Sequence, residues 1–435
     1  MAQIDLLRSR RFMPLFWTQF LGAFNDNFLK NALVILVTYR AATVLGMPYT
    51  EIVALAGGLF ILPFLLFSAL AGQLADKYEK TTIIRYVKGA EILIMFLATY
   101  GLLTEQFAFL LGVLFLMGLH STFFGPIKYS ILTQHLHAKE MLAGNALVEA
   151  GTFLAILLGT IGGSVLILFD SGALIVSLGL NAMAVIGFVV CIWIPSAPSV
   201  DSSVRIELNP IGPSWRMIGF ARQNRSVMTS ILGISWFWFF GACMLSVFPA
   251  LCKDVLNATE NVPPLFLAMF SLGIGAGSIL CERLSRQKLE LGLILVGAMG
   301  ISVFTVGLYW LCADYGLNTE PQTISSFLSP GRGLVILIDL FLLSVFGGIF
   351  TVPLYTLVQT RSAAQQRSRI VAANNIINAL FMVVASLLLI VLFRIDLTIP
   401  EIILVIGVLN AFAAAALCYL HPEFLSSFFR LLRRP

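Results

Sequence analysis

The sequence predicts an all-α membrane protein of twelve transmembrane helices in two pseudo-symmetric six-helix bundles, and three observations carry that expectation. Of 435 residues, 59% are hydrophobic and only 11% are charged, less than half the charged share of a soluble globular chain. Apolar runs long enough to cross a hydrocarbon core, about 20 residues each, take up nearly the whole sequence. The basic residues between those runs fall on alternate loops, the bias that the positive-inside rule describes.

Taken in order, the runs place helices near 14–39, 50–74, 83–103, 107–127, 142–169, 172–194, 226–250, 263–281, 290–312, 333–358, 370–393 and 400–420. The first follows Arg8, Arg10 and Arg11. It is longer than a signal-peptide apolar region and lacks a small-residue cleavage site, so it reads as an uncleaved first helix. Of the 27 Lys and Arg, 21 lie on the side of the amino terminus. Arg40, Lys253, Arg332 and Arg394 lie on the other, and Lys30 and Lys128 fall inside the membrane. Both termini are therefore expected in the cytoplasm of an inner-membrane protein, with an even number of spans. The net charge of +5 is spread among apolar runs rather than gathered on a soluble face, which argues against nucleic acid as a partner. Six scattered cysteines form no C-x-x-C pair, so neither a metal nor a redox cofactor is expected.

A polar stretch from Pro195 to Arg225 separates the halves, giving bundles over 1–194 and 226–435 joined by a cytoplasmic loop over 195–225. The halves echo each other. Gly125-Pro126-Ile127-Lys128-Tyr129 matches Val352-Pro353-Leu354-Tyr355, and each proline is followed by an asparagine, Asn145 and Asn374. Another polar residue follows four positions on, Glu149 and Asn378. Two six-helix repeats related by an axis along the membrane normal resemble the major facilitator superfamily, whose site lies between the halves near mid-membrane. Between helices two and three, Gly72-Gln73-Leu74-Ala75-Asp76-Lys77-Tyr78-Glu79-Lys80 resembles part of that superfamily's cytoplasmic signature, with Glu79 and Thr81 departing from it. Asp76 and Lys77 are the candidate gating residues, since a carboxylate at a helix end can meet the positive amino terminus of helix eleven.

Charge inside the bilayer costs from about 2.5 to more than 10 kcal/mol, so each buried ionisable group asks for a partner and a purpose. Asp26 and Lys30, four apart in helix one, can pair on one face. The surrounding string, with Asn25, Asn27 and Asn31, is too polar to face lipid and is expected to line a cavity. Lys128 in helix four is a candidate substrate cation or a snorkelling lysine. Glu149 and Asn145 share a face of helix five, and Asn374, Asn375 and Asn378 are the second half's counterparts. Glu91 and Asp339 read as ambiguous, near an interface. Ser235-Trp236-Phe237-Trp238-Phe239-Phe240-Gly241 reads as packing or an aromatic belt rather than an acyl-chain path. Gly273, Gly275 and Gly277 have no preceding strand and read as close-packing glycines.

At Gln19-Phe20-Leu21-Gly22-Ala23-Phe24-Asn25-Asp26-Asn27-Phe28-Leu29-Lys30 and Phe124-Gly125-Pro126-Ile127-Lys128-Tyr129 the sequence looks like the bacterial lysophospholipid transporter family. The likeness runs on through Gly144-Asn145-Ala146-Leu147-Val148-Glu149 and Leu280-Cys281-Glu282-Arg283-Leu284-Ser285. It implies a flippase that delivers lysophospholipid from membrane lipid to the cytoplasmic leaflet, where an acyltransferase–acyl-carrier-protein synthetase reacylates it. Similar sequences also occur fused to those enzyme domains, so the chain stands alone or is an excerpt. On this reading Lys30 or Lys128 meets the phosphate, and Asp26 or Glu149 meets the head-group amine or a coupling ion. A single two-half chain can form the whole path, so a monomer is expected.

Other classes remain in view. The same buried charges would serve a major facilitator carrier of small polar metabolites or drugs. A membrane acyltransferase would call for H-x-x-x-x-D, which the sequence lacks; His135 with Glu140 is a single near match. A pure scaffold has no need of intramembrane charge.

Overall fold

Twelve helices of 20 residues or more follow one another in the computed structural model, which describes residues 6–432 except 41–42, 138–139, 200–201, 203–204, 208, 210, 285–289, 316–319 and 363–366. The first six are α1 (Met13–Arg40), α2 (Tyr49–Lys77), α3 (Lys80–Leu103), α4 (Phe107–His135), α5 (Met141–Leu166) and α6 (Gly172–Cys191). The second six are α7 (Arg225–Ala250), α8 (Val262–Leu284), α9 (Gly292–Ala313), α10 (Arg332–Arg361), α11 (Arg367–Arg394) and α12 (Ile399–Leu420). Among the described residues, eleven are long and apolar enough to cross a membrane, and α5 contributes the shorter apolar stretch Leu154–Leu166.

Every expected span overlaps one of these helices, and the largest difference is at α4. It runs on to His135 through Pro126, as α2, α7 and α10 run through Pro63, Pro249 and Pro353. A proline removes one backbone bond, but ending a helix inside hydrocarbon would strand several more N–H and C=O groups. The stretch after α6, expected as a loop, holds a further helix at Ile211–Arg222.

The chain divides into two compact units, one of Met1–Gly46 with Leu59–Trp215 and one of Met47–Gly58 with Arg216–Pro435. In the first, α1 packs against α4, α5 and α6, and α3 packs against α4 and α6. In the second, α7 packs against α10, α11 and α12, and α9 packs against α10 and α12. The neighbours of α1 and α3 named here match those of α7 and α9 when six is added to each helix number, whereas the close packing of α8 against α10 has no counterpart of like extent in the first unit.

Lipid tails are as apolar as leucine, so helices in a membrane associate by close approach and by polar contacts. Close approach is visible at glycine. A Cβ on Gly163 would sit 2.2 Å from the Phe28 carbonyl oxygen, and one on Gly277 would sit 1.9 Å from that of Val345. Gly273 likewise faces the Phe341 carbonyl at 2.6 Å, but Gly275 faces open space and is not a packing glycine. The helical repeat explains the difference, because two residues apart on an α-helix point to different sides. Aromatic edges complete the second unit's core: Phe248 meets Phe266 and Phe270 at 6.0 and 5.7 Å, and Phe266 meets Phe327 at 5.9 Å.

The start of α2 belongs to the second unit through specific contacts. Glu51 accepts from Arg394 at 3.0 and 3.2 Å, and the Tyr49 hydroxyl donates to Asp254. At the opposite end of the same unit, Arg361 donates to Ser226 Oγ at 2.8 Å and pairs with Glu423 at 3.4 Å. That ties α10 to the start of α7 and to the terminal helix Glu423–Leu432, a structural role in keeping with a charge at a helix end.

Candidate functional site

The polar string of helix one becomes three different faces of α1. Gln19 and Asn31 point to α5: Thr152 donates to Gln19 Oε1 at 2.9 Å, and Asn31 donates to Thr160 Oγ1 at 3.0 Å. These act as interhelical glue. Asn25 is fully buried toward α3 and α6, donating to Glu91 Oε1 at 3.0 Å and to the Leu180 carbonyl at 3.2 Å. Asp26 and Lys30 make the third face, and both are half-buried.

Asp26 and Lys30 do not bridge each other as the four-residue spacing allows. Ser121 of α4 donates to Asp26 Oδ2 at 2.6 Å, whereas Asp26 Oδ1 is buried with no hydrogen-bond partner. Lys30 Nζ donates to Asn27 Oδ1 at 3.2 Å and lies 5.6 Å from the Phe60 ring centre. A short carboxylate is captured by the neighbouring helix before the flexible lysine can reach it. The result is a carboxylate held in orientation by one oxygen, with the other open. Lys128 lies on α4, seven residues and so about 10 Å beyond Ser121 along the axis, and is half-buried. The side chains of Asn145 and Glu149 lie outside the described residues.

In the second unit, the Ser235 hydroxyl donates to Asn378 Oδ1 at 2.7 Å, so Asn378 is occupied as α7–α11 glue. Asn374, 5% exposed, keeps its Oδ1 without a hydrogen bond. The aromatic run is packing, as expected. Phe239 and Phe240 are buried, Trp236 Nε1 donates to Asn410 Oδ1 at 2.8 Å, and Trp238 Nε1 donates to the Tyr355 hydroxyl at 3.0 Å. Asp339 is buried in α10, at 2.5 Å from where a Cβ on Gly307 would lie. Asp76 ends α2 on its exposed side, and Lys77 beside it lies 5.9 Å from the Tyr78 ring.

Sequence reasoning missed a buried ionic cluster beside Asp26. Lys88, grouped above with the loop cations, is 1% exposed inside α3, where its ammonium donates to Glu91. Glu91 is 0% exposed and also faces His120 Nε2 at 3.2 Å. Glu91 is thus enclosed by its neighbouring helices. The i, i+3 spacing of Lys88 and Glu91 within an otherwise apolar run was the available signal. His120 carried none, since a lone histidine in an apolar helix gives no spacing to read.

Outside the spans, Glu79 at the α2–α3 turn accepts from Ser196 (2.6 Å), Thr82 (2.8 Å) and Thr81 (2.9 Å). Those hydroxyls hold its carboxyl down at about 2, below its ordinary 4.5. At the end of α4, Arg11 pairs with Glu140 at 2.6 Å, and that hydrogen bond lowers the Glu140 carboxyl.

The family model of the Major Facilitator Superfamily matches residues 15–386. The lysophospholipid transporter LplT of Escherichia coli (strain SE11) is 29% identical over 361 residues, covering 79% of this chain and 78% of that protein. LplT of Enterobacter sp. (strain 638) is 27% identical over 365 residues, covering 82% and 81%. Among solved structures, an auto-inhibited POT family peptide transporter superposes with a TM-score of 0.65 at 12% identity, over 95% of this chain and 96% of the other. The nucleoside transporter NupG superposes with 0.64 at 11% identity, over 94% and 100%. At such identities the two structures speak for the fold alone.

Proposed function

The chain belongs to the major facilitator superfamily, and from that premise we propose that it is a lysophospholipid transporter. It moves lipids such as lysophosphatidylethanolamine across the inner membrane to the cytoplasmic leaflet, by alternating access of its two halves. The likeness to LplT over about four-fifths of each chain supports the substrate class. The observation that carries the site is Asp26, whose carboxylate is fixed by Ser121 through Oδ2 and open at the buried Oδ1.

A zwitterionic head group needs a carboxylate for its amine and a cation for its phosphate, and a half-buried setting strengthens both contacts relative to water. Asp26 takes the ammonium. Lys30, one turn further on the same helix, takes the phosphate by exchanging its hydrogen bond with Asn27, and Lys128 is the second candidate cation. Asn25 and Asn27 hold the surroundings of the pair, and the open Oδ1 of Asn374 offers a further acceptor in the second half. Asp76 and Lys77 gate the cytoplasmic face. With both termini in the cytoplasm, the delivered lipid meets an acyltransferase–acyl-carrier-protein synthetase that reacylates it, and one chain suffices for the path.

The test is reconstitution into liposomes with a fluorescent lysophosphatidylethanolamine in one leaflet. Protein-dependent movement to the other leaflet, competed by unlabelled lysolipid, is expected. Competition by water-soluble solutes alone would replace this reading with a small-solute carrier.

A further inference from the structure

The terminal helix Glu423–Leu432 grips the second unit with one face and leaves a second apolar strip uncovered. Only His421 and Pro422 separate it from α12, so it starts where that span ends. Its contacts then stay at one level. Phe424 lines a small cavity with Ile294, a Cβ on Gly292 would lie 2.8 Å from the Ser427 carbonyl oxygen, and Leu431 packs on the cluster that holds Leu293. From Phe424 to Leu431 the helix advances about 10 Å, yet all three contacts involve the first turn of α9. The terminal helix therefore lies across the end of that span, along the membrane surface rather than through it.

Helical spacing sorts its side chains into an inner face and two flanks. Phe424, Ser427 and Leu431, at i, i+3 and i+7, form the inner face. Leu425 and Phe429, at i and i+4, form one flank and are 41% and 52% exposed. Glu423, Ser426 and Arg430, again at i, i+3 and i+7, form the other. At 3.6 residues per turn the three directions stand roughly 100–150° apart. On the polar flank Glu423 is already paired with Arg361, so the charge it presents is the exposed Arg430, which donates to Ser427 Oγ at 2.8 Å. Arg433 and Arg434 follow in the sequence.

We propose that this helix is a binding surface for anionic phospholipid of the bilayer itself. Leu425 and Phe429 enter the boundary between acyl chains and head groups, and Arg430 meets the phosphates beside them. The first turn of α9 is where a span passes from head groups into hydrocarbon, so an apolar side chain that points away from the bundle at that level meets lipid. A guanidinium binds phosphate through two parallel hydrogen bonds. A zwitterionic head group brings its own ammonium beside the phosphate, whereas an anionic one leaves the negative charge to the arginine, and the preference follows. By the distribution of basic residues this leaflet is the cytoplasmic one. The lipid bound here is bilayer lipid and not cargo, so its binding does not depend on the substrate carried.

The test uses the full chain with Cys418→Ser, the other five cysteines being buried. Spin labels go on Leu425→Cys and Ser426→Cys, neighbours in sequence on opposite flanks, in liposomes of phosphatidylcholine and phosphatidylglycerol. The label at 425 is expected to be reached by dissolved oxygen and shielded from a water-soluble nickel chelate, with a ratio at least about five-fold above that at 426. In a second arm, adding phosphatidylglycerol to phosphatidylcholine is expected to raise the melting temperature of wild type by about twice as much as that of Arg430→Gln/Arg433→Gln/Arg434→Gln. Salt at about 0.5 M is expected to shrink the difference by screening. The single variant Arg430→Gln, at an exposed position, serves if the triple variant does not fold. A label at 425 as open to nickel as the one at 426 would leave the strip to a protein partner and overturn the proposal. Equal rises for wild type and variant would overturn the anionic preference and the proposal with it.

Discussion

Replacing Glu91 by glutamine strands the Lys88 ammonium, whose recorded partner among the described residues is that carboxylate. The position is 1% exposed and hemmed by Gly22 and Gly187, so neither water nor a rotamer change relieves it. Breaking a buried pair from one side costs about 3–5 kcal/mol, a factor of roughly a hundred to a few thousand in the folded-to-unfolded ratio. Lys88→Met should cost less, about 1.5–3 kcal/mol, the range for a hydrogen bond to a charged group. It leaves Glu91 with His120 at 3.2 Å and Asn25 at 3.0 Å. The double variant Lys88→Met/Glu91→Gln removes both charges and should cost clearly less than the sum of the two. Equilibrium unfolding in mixed micelles, followed by tryptophan fluorescence, gives all three values. A Glu91→Gln cost below about 1 kcal/mol, or strict additivity in the double variant, would refute the buried pair.

Three further outcomes follow from the same contacts. Gly277→Ala places a methyl 1.9 Å from the Val345 carbonyl oxygen and should destabilise the second unit by about 1–3 kcal/mol or more. Gly275→Ala, facing open space, should be neutral or stabilise by up to about 1 kcal/mol; apparent melting temperatures in detergent separate the two. Glu79 has a folded pKa of about 2 against an ordinary 4.5, so its contribution is complete above 4.5 and lost as pH falls toward 2. Glu79→Gln should therefore be less stable than wild type at neutral pH, with the gap closing over that window in a pH series of unfolding curves. Glu423→Ala opens a pair that is about 40% exposed, at 36% and 42%, and should cost under about 1 kcal/mol, as the same unfolding assay would show.

The helices were legible because hydrocarbon imposes one rule on every residue of a span, and composition alone reports it. Ends were less legible where prolines do not stop a helix, as at Pro126. The gap between sequence and site is instructive at three residues. Lys88 sits two turns into α3, close enough to the loop to read as a topology charge; its burial depends on glycines in α1 and α6 far away in sequence. Asp26 and Lys30 have the spacing of a pair, yet Ser121 of another helix decides which of them is bonded to what. Asn374 and Asn378 look equivalent on the helical repeat, and only the position of Ser235 shows that one is spent on packing while the other is open. A one-dimensional pattern gives the face of a helix, and the neighbour on that face settles the chemistry.

The most direct test of the central claim compares wild type with Asp26→Asn in the liposome flipping assay, at matched reconstitution and matched melting temperature. Asparagine keeps the Ser121 contact and the size of the side chain while removing the charge that binds an ammonium. Loss of at least ten-fold in lysophosphatidylethanolamine flipping is the predicted result; full flipping by the folded variant would contradict the site.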